Sequence, residues 1–175
     1  ERRVPSLAQL RSLMRKLPAP EVQHDLELNA EGSGLLRPRP ALAKAEAKWR
    51  SHFAQAKPML AMLGEANSIT FFRGEKWLPL LQREPLLWQS FDVLDDLAMA
   101  VHGLGLLGAN DVVMVPLLDR AVALLRLHVD AAGARRLPWG FLENRPALRS
   151  VAARVHAALE ADDRDTALPL AEWLV

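Results

Sequence analysis

Leu137-Pro138-Trp139-Gly140-Phe141-Leu142-Glu143-Asn144-Arg145-Pro146-Ala147-Leu148-Arg149 decides how this chain is read. The stretch sets two bulky aromatics about a glycine, places a proline near each end, and adds four polar or charged side chains. It directly precedes the clearest helical pattern in the protein. We read it as an elbow that closes one block of helices and opens a pair of helices. Asn144 is placed to cap a helix from Arg145, with Pro146 in its first turn, where the missing N–H costs nothing. Leu148, Val151, Ala152, Val155 and Leu159 then recur at helical spacing. Asp162-Asp163-Arg164-Asp165 reads as a polar turn, and Thr166 to Val175 as the returning helix, with Ala167, Leu170, Ala171 and Leu174 inward. Pro169 is expected to be tolerated in its first turns.

The helices before the elbow follow the same logic. The pattern predicts a helix from Ala41, with Leu42, Ala45, Trp49 and Phe53 on one face, and a compact helix over 75–83 with Trp77, Leu78, Leu80 and Leu81 inward. Ser90 to Leu107 reads as the most buried helix. A further helix runs to about Ala131 along Val115, Leu118, Val122, Leu125 and Val129. The 5–17 segment suits a short amphipathic helix on Leu7, Leu10, Met14 and Leu17. It reads either as an arm docked on the body or as a basic helix lying on a membrane. Val22 to Leu28 alternates like a strand, but no second strand is evident, so an extended segment is expected. Glu31-Gly32-Ser33-Gly34 reads as a flexible joint. Arg37-Pro38-Arg39-Pro40 reads as a polyproline-like approach to a helix.

The resulting organisation is all-α: an N-terminal arm over 1–40, with a short helix and an extended linker, and a helical domain over 41–175. That domain is a bundle ending in a hairpin over 143–175. Half of the 175 residues are apolar, enough for a sizeable core. There is no cysteine, which excludes disulfides and thiolate chemistry and fits a reducing, cytoplasmic setting. The first residue is Glu1 rather than Met, as in a piece of a longer chain. The formal charge is +1, so no global field draws the chain to nucleic acid or anionic lipid. Residues 1–50 hold ten basic and six acidic side chains, a surplus of +4, against −3 for the remainder. No apolar run is long enough for a transmembrane helix.

Residues 145–175 resemble one tetratricopeptide-type repeat. The likeness rests on Ala158-Leu159-Glu160, Asp163-Arg164-Asp165-Thr166-Ala167-Leu168 and Leu170-Ala171-Glu172-Trp173-Leu174. It places Ala167 at the small position where the two helices cross, while Val155 stands where such repeats carry a small residue. The segment from Trp139 to Pro146 is similar to the lead-in of terminal repeats in bacterial proteins. The resemblance, which covers about a fifth of the chain, implies a helical superhelix that binds a protein along a concave face. It implies no catalysis.

Chemistry-bearing patterns are sparse. Asp92, Asp95 and Asp96 stand at i, i+3 and i+4, near one helix face, as a magnesium-dependent enzyme would need, or simply as acids facing a helix dipole. The five histidines show no metal-ligand spacing and are expected at the surface or its boundary. Gly103-Leu104-Gly105-Leu106-Leu107-Gly108 imitates a dinucleotide fingerprint but follows a helix, so the phosphate-cradling geometry is missing. No cofactor is expected. Arg135, Arg136, Arg145 and Arg149 around Trp139 resemble the cation–aromatic sets that hold single-stranded nucleic acid, giving a nucleic-acid-associated regulator as an alternative. The favoured expectation is a non-enzymatic adaptor in a larger bacterial-type assembly. Its contacts are expected at Arg37, Arg39, Arg135, Arg136, Trp139, Glu143, Arg145 and Arg149, because Trp and Arg most often anchor interfaces.

Overall fold

The computed structural model describes residues 5–53, 77–103, 113–132 and 136–174. In chain order these give α1 (Pro5–Met14), β1 (His24–Leu28), β2 (Gly34–Pro38), α2 (Pro40–Phe53) and α3 (Leu78–Arg83). A 3₁₀ turn (Pro85–Gln89) then leads to α4 (Phe91–Gly103) and α5 (Val115–Ala132). A second 3₁₀ turn (Leu142–Asn144) opens α6 (Arg145–Glu160), and α7 (Arg164–Ala171) tightens into a last 3₁₀ turn (Glu172–Leu174). The protein is thus mostly helical. Helix α6 packs on α4, α5 and α7.

The apolar stripes read from the sequence become the core. Leu42, Ala45 and Trp49 of α2 are buried, as are Phe91, Leu94, Leu97, Ala98 and Val101 of α4 and Leu118, Val122 and Leu125 of α5. Trp49 and Trp77 meet edge to face with ring centroids 6.2 Å apart, a geometry aromatic pairs favour. Helix α4 begins where Ser90 Oγ accepts from the Val93 N–H (3.2 Å), which satisfies one of the open donors at the helix start. The side chain of Phe53, the start of the expected 75–83 helix and the part of the glycine-rich run over 104–108 lie outside what is described.

The arm departs from the expected form. Its alternating segment has a partner: β1 and β2 pair antiparallel, with His24 opposite Pro38 and Leu28 opposite Gly34. The supposed joint is a closed turn. Asn29 Oδ1 accepts from the Glu31 and Ser33 N–H groups, and the Asn29 N–H returns to the Ser33 carbonyl. Gly32 takes a φ of 76°, which an L side chain rarely adopts. A Cβ on Gly34 would stand 2.7 Å from Leu26 Cδ1. The expected polyproline run is instead the end of β2, and Pro40 opens α2. The partner strand is easy to miss because its sequence, Gly-Leu-Leu-Arg-Pro, lacks alternation.

Buried polar side chains tie the arm down. Arg120, in the middle of α5, is only 8% exposed. Its guanidinium donates to the carbonyls of Trp88, Pro18 and Ala19 and to Gln89 Oε1. Gln89 in turn accepts from the Glu21 N–H and donates to the Ala19 carbonyl. His128 Nε2 accepts from the His24 N–H (3.1 Å), while its Nδ1 lies 2.7 Å from the Leu124 carbonyl. Those two bonds together fix the Nδ1–H tautomer. His24 and His128 are therefore core residues, correcting the expectation that every histidine sits at the surface or its boundary.

The terminal helices do fold back as a hairpin. Asp163 caps α7, accepting from the Thr166 N–H at 3.1 Å. Asp162 takes φ 53°, and the Asp163 N–H reaches the Ala158 carbonyl at 2.8 Å, a Schellman-type stop for α6. The inward face of α6 is rotated from the expected one. Ala158 is buried while Leu159 is 56% exposed and Ala152 faces outward. Ala158 and Ala167, both 1% exposed, are the small residues that let the two helices approach. Pro169 lies inside α7, in its second turn. Lacking an N–H, it leaves the helix one bond short, and the α-helix ends two residues later.

Candidate interaction surface at the elbow

The elbow is held by the free edge of β2. Arg136 forms a parallel bridge with Ser33; its carbonyl accepts from the Gly34 N–H (2.9 Å), and its Nε donates to Ser33 Oγ (2.8 Å). Further along the same edge, Asn144 takes over. Its Oδ1 accepts from the Leu36 N–H (3.0 Å) and its Nδ2 donates to the Gly34 carbonyl (2.9 Å). One side-chain amide thus reproduces the donor and acceptor of a neighbouring strand, covering an edge that would otherwise be open. The same Nδ2 reaches the Pro138 carbonyl (3.1 Å), closing the turn on itself. Asn144 does not cap α6 with its side chain, as expected from the sequence; the β2 edge has claimed it.

With its backbone pinned, the elbow turns its apolar side chains outward. Trp139 is 52% exposed, Phe141 40% and Leu142 67%. The guanidinium of Arg145 stands 5.8 Å from the Trp139 ring centroid, and its Nε donates to the Trp139 carbonyl (3.1 Å). That cation–π contact stiffens the indole.

The other expected contact residues are dispersed. Arg37 pairs with Glu27 and Arg39 with Asp25, each at 2.9 Å on the hairpin surface. Glu27 holds the Arg37 guanidinium above its usual pKa. Arg149 donates through Nε to Asp95 Oδ2 (2.9 Å), bonding α6 to α4. Arg135 lies outside the described residues. Among the described residues, Arg136 and Arg145 are the members of the set without a carboxylate ion pair.

The three carboxylates of α4 are divided among separate partners. Asp92 pairs with Arg50 (3.0 Å), Asp95 with Arg149, and Asp96 accepts from Trp49 Nε1 (2.8 Å). Burial pushes Asp96 up to about 6, and it raises Asp95 as well. Among the described residues no group of three or more His, Asp or Glu side chains converges to hold a metal. The magnesium reading of Asp92, Asp95 and Asp96 therefore has no geometric support.

Beside the elbow lies a cavity of about 340 Å³. His24 and Leu36 from the β-hairpin, Glu46 and Arg50 from α2, and Phe91 and Asp92 from α4 line it, and the exposed Leu142 and Glu143 complete it. Glu46 is 3% exposed; its Oε1 accepts from Ser90 Oγ (2.6 Å), and Arg50 stands 3.7 Å from its Oε2. Burial raises the Glu46 pKa. The His24 ring packs 4.8 Å from that of Phe91, and its buried Nδ1 has no hydrogen-bond partner. Burial and the neighbouring His128 lower His24 to about 3, so the ring is neutral. Sequence inspection missed this site because His24, Glu46 and Glu143 are brought together from three separate segments.

No helix among the described residues is long and apolar enough to cross a membrane. Comparison with protein-family models, characterised proteins and solved structures finds no match for this chain. The fold itself therefore defines the class: a mostly α-helical protein whose β-hairpin arm is sewn to the helices by buried polar side chains.

Proposed function

We propose that this chain is a non-enzymatic recognition module of a larger assembly, docking a protein segment on the elbow. The observation that carries the reading is the exposure of Trp139, Phe141 and Leu142 within four residues, on a turn fixed by Asn144 and Arg136. Large apolar side chains on a rigid backbone suit binding, because little conformational freedom remains to be lost. The partner segment carries apolar side chains and an acidic group, since Arg136 and Arg145 have no carboxylate ion pair among the described residues. Arg37, Arg39 and Arg149 are engaged within the fold and contribute less. The tetratricopeptide-like reading of α6 and α7 belongs to the same proposal and is supported by the small residues Ala158 and Ala167 between the helices.

The test uses a photoreactive phenylalanine analogue placed at Leu142 and, separately, at the exposed Leu168 on α7. Crosslinks from position 142 should map to one partner segment with apolar and acidic residues. Arg145→Glu should abolish them, and Trp139→Ala should weaken binding by about tenfold or more, as for an interface anchor. Equal yields from both positions, or crosslinks insensitive to Arg145→Glu, would overturn the reading.

A further inference from the structure

We propose that α7 is a self-association surface, on which a second copy of this chain docks its own α7 antiparallel about a two-fold axis at Leu168. Leu168 is 63% exposed, and Leu159 on α6 is also mostly exposed. Ala158 and Ala167 are the small buried residues between these two helices. One residue further along an α-helix is a rotation of about 100°. Because α6 and α7 run in opposite directions, Leu159 and Leu168 emerge on the same side of the hairpin. Contacts to α5 are made from elsewhere on it, by Arg154 to Asp119 and by Trp173 under Arg126, which leaves the two leucines uncovered.

The order of charges along α7 says what covers them. Arg164, Leu168 and Glu172 stand four residues apart and share one helix face. Under a two-fold axis at Leu168, that side chain meets its own copy, and each Arg164 lies beside the other chain's Glu172. The face is therefore its own complement. Within one chain neither charge is well used. Arg164 stands 3.4 Å from Asp162, with both side chains mostly exposed, and Glu172 has no ion pair among the described residues. The stripe also runs against the helix dipole, which favours acids at the N-terminus and bases at the C-terminus. Here Arg164 opens the helix and Glu172 follows its last residue, while Asp163, the N-cap, and Asp165 keep the usual order beside the stripe. In the antiparallel pair each Arg164 reaches the C-terminal end of the other helix and each Glu172 its N-terminal end, so both charges meet the end that suits them. A face of two short helices is at the small end for specific interfaces, so the association is weak and reversible.

The full chain is followed by sedimentation equilibrium from about 10 μM to about 1 mM, where an interface of this size associates. The mean mass should rise from one chain toward two. Leu168→Asp, on an exposed residue, should hold the chain as a monomer throughout. Arg164→Glu and Glu172→Arg each set like charges against one another twice across the axis, and each should weaken association by roughly tenfold. The double variant restores opposite charges and should return to within about threefold of the unaltered chain. Both substitutions give α7 the charge order its dipole favours, so neither threatens the fold. A chain that stays monomeric up to about 1 mM, association that survives Leu168→Asp, or a double variant no better than the single ones would each overturn the proposal. A photoreactive residue at Leu168 should join α7 to the α7 of a second copy. That product has twice the mass of the chain and is counted apart from the partner products that test the elbow, so either idea can fail without the other.

Discussion

Two regions of this molecule are attached to the same helical body with different shares of polar contact. The closing hairpin, α6 and α7, is held by an apolar seam in which Ala147, Leu148, Val151, Ala158, Ala167 and Leu170 are buried. The arm buries Leu10 and Leu36 in the core and adds a set of polar seams: Arg120 and Gln89 on Pro18 to Glu21, His128 on His24, and Asn144 on β2. An apolar seam is tolerant in direction and sensitive to volume. A polar seam is the reverse: each bond needs a donor and an acceptor in register, and a lost partner leaves a buried group unsatisfied. The arm should therefore come loose as a unit when one stitch is cut, whereas the hairpin should lose stability with the volume of the change.

Cutting a stitch at Asn144 is the strongest test of that contrast. Asn144→Leu keeps roughly the same volume but orphans the Leu36 N–H and the Gly34 carbonyl, and leaves the Pro138 carbonyl with the Phe141 N–H alone. At about 1–3 kcal/mol for each of the two groups left without a partner, the loss should total about 2–5 kcal/mol. Hydrogen exchange at the Leu36 and Gly34 amides should accelerate sharply while α5 stays protected. Uniform acceleration across both regions would show that the arm and body unfold as one.

The hairpin seam answers to volume instead. Ala167→Leu forces a larger side chain between helices that meet through Ala158 and Ala167, and should cost about 1–3 kcal/mol in denaturant unfolding. Exchange at Leu36 should stay slow in that variant. An unchanged midpoint would mean that α7 can shift outward freely, and that its seam is looser than its burial suggests.

The smallest effect per step is the pH response of the arm. His24 titrates near 6.5 when unfolded and about 3 when folded. Between those values the unfolded chain binds a proton that the folded chain does not, so stability is full above about 6.5 and falls as pH drops toward 3. The contribution is at most about 1.4 kcal/mol per pH unit. His128, also lowered by burial, acts in the same sense. Asp96, raised to about 6, acts oppositely, since its ionisation destabilises the fold as pH rises through 4 to 6. His24→Gln should flatten the acid side of a melting-temperature profile relative to the unaltered chain. Identical slopes would mean that the arm detaches before His24 titrates.

Much of the helical body was legible because its signal is local and redundant. Each of α2, α4 and α5 carries several apolar residues at helical spacing, so one misread position does not change the face. The rotated stripe of α6, with Ala158 inward and Leu159 outward, shows where that reading stops: hydrophobicity alone ranks leucine above alanine, whereas close helix approach selects the smaller residue. Proline placement marks the elbow in the sequence, and Trp139 and Arg145 stand out by type, but nothing local shows that Phe141 and Leu142 are exposed. Their composition is that of a core segment, and only the anchoring of the backbone on β2 turns them outward.

By itself the sequence determined the helices, the position of the bend and the absence of any thiol chemistry, because periodicity, proline placement and composition act within a few residues of one another. The tertiary structure alone decided that 24–38 is a hairpin, that Asn144 serves a strand rather than a helix, and that His24, Glu46, Asp92 and Glu143 share one cavity. These outcomes depend on polar groups more than a hundred residues apart finding complementary partners, and a hydrogen bond at that separation leaves no periodic trace in the chain.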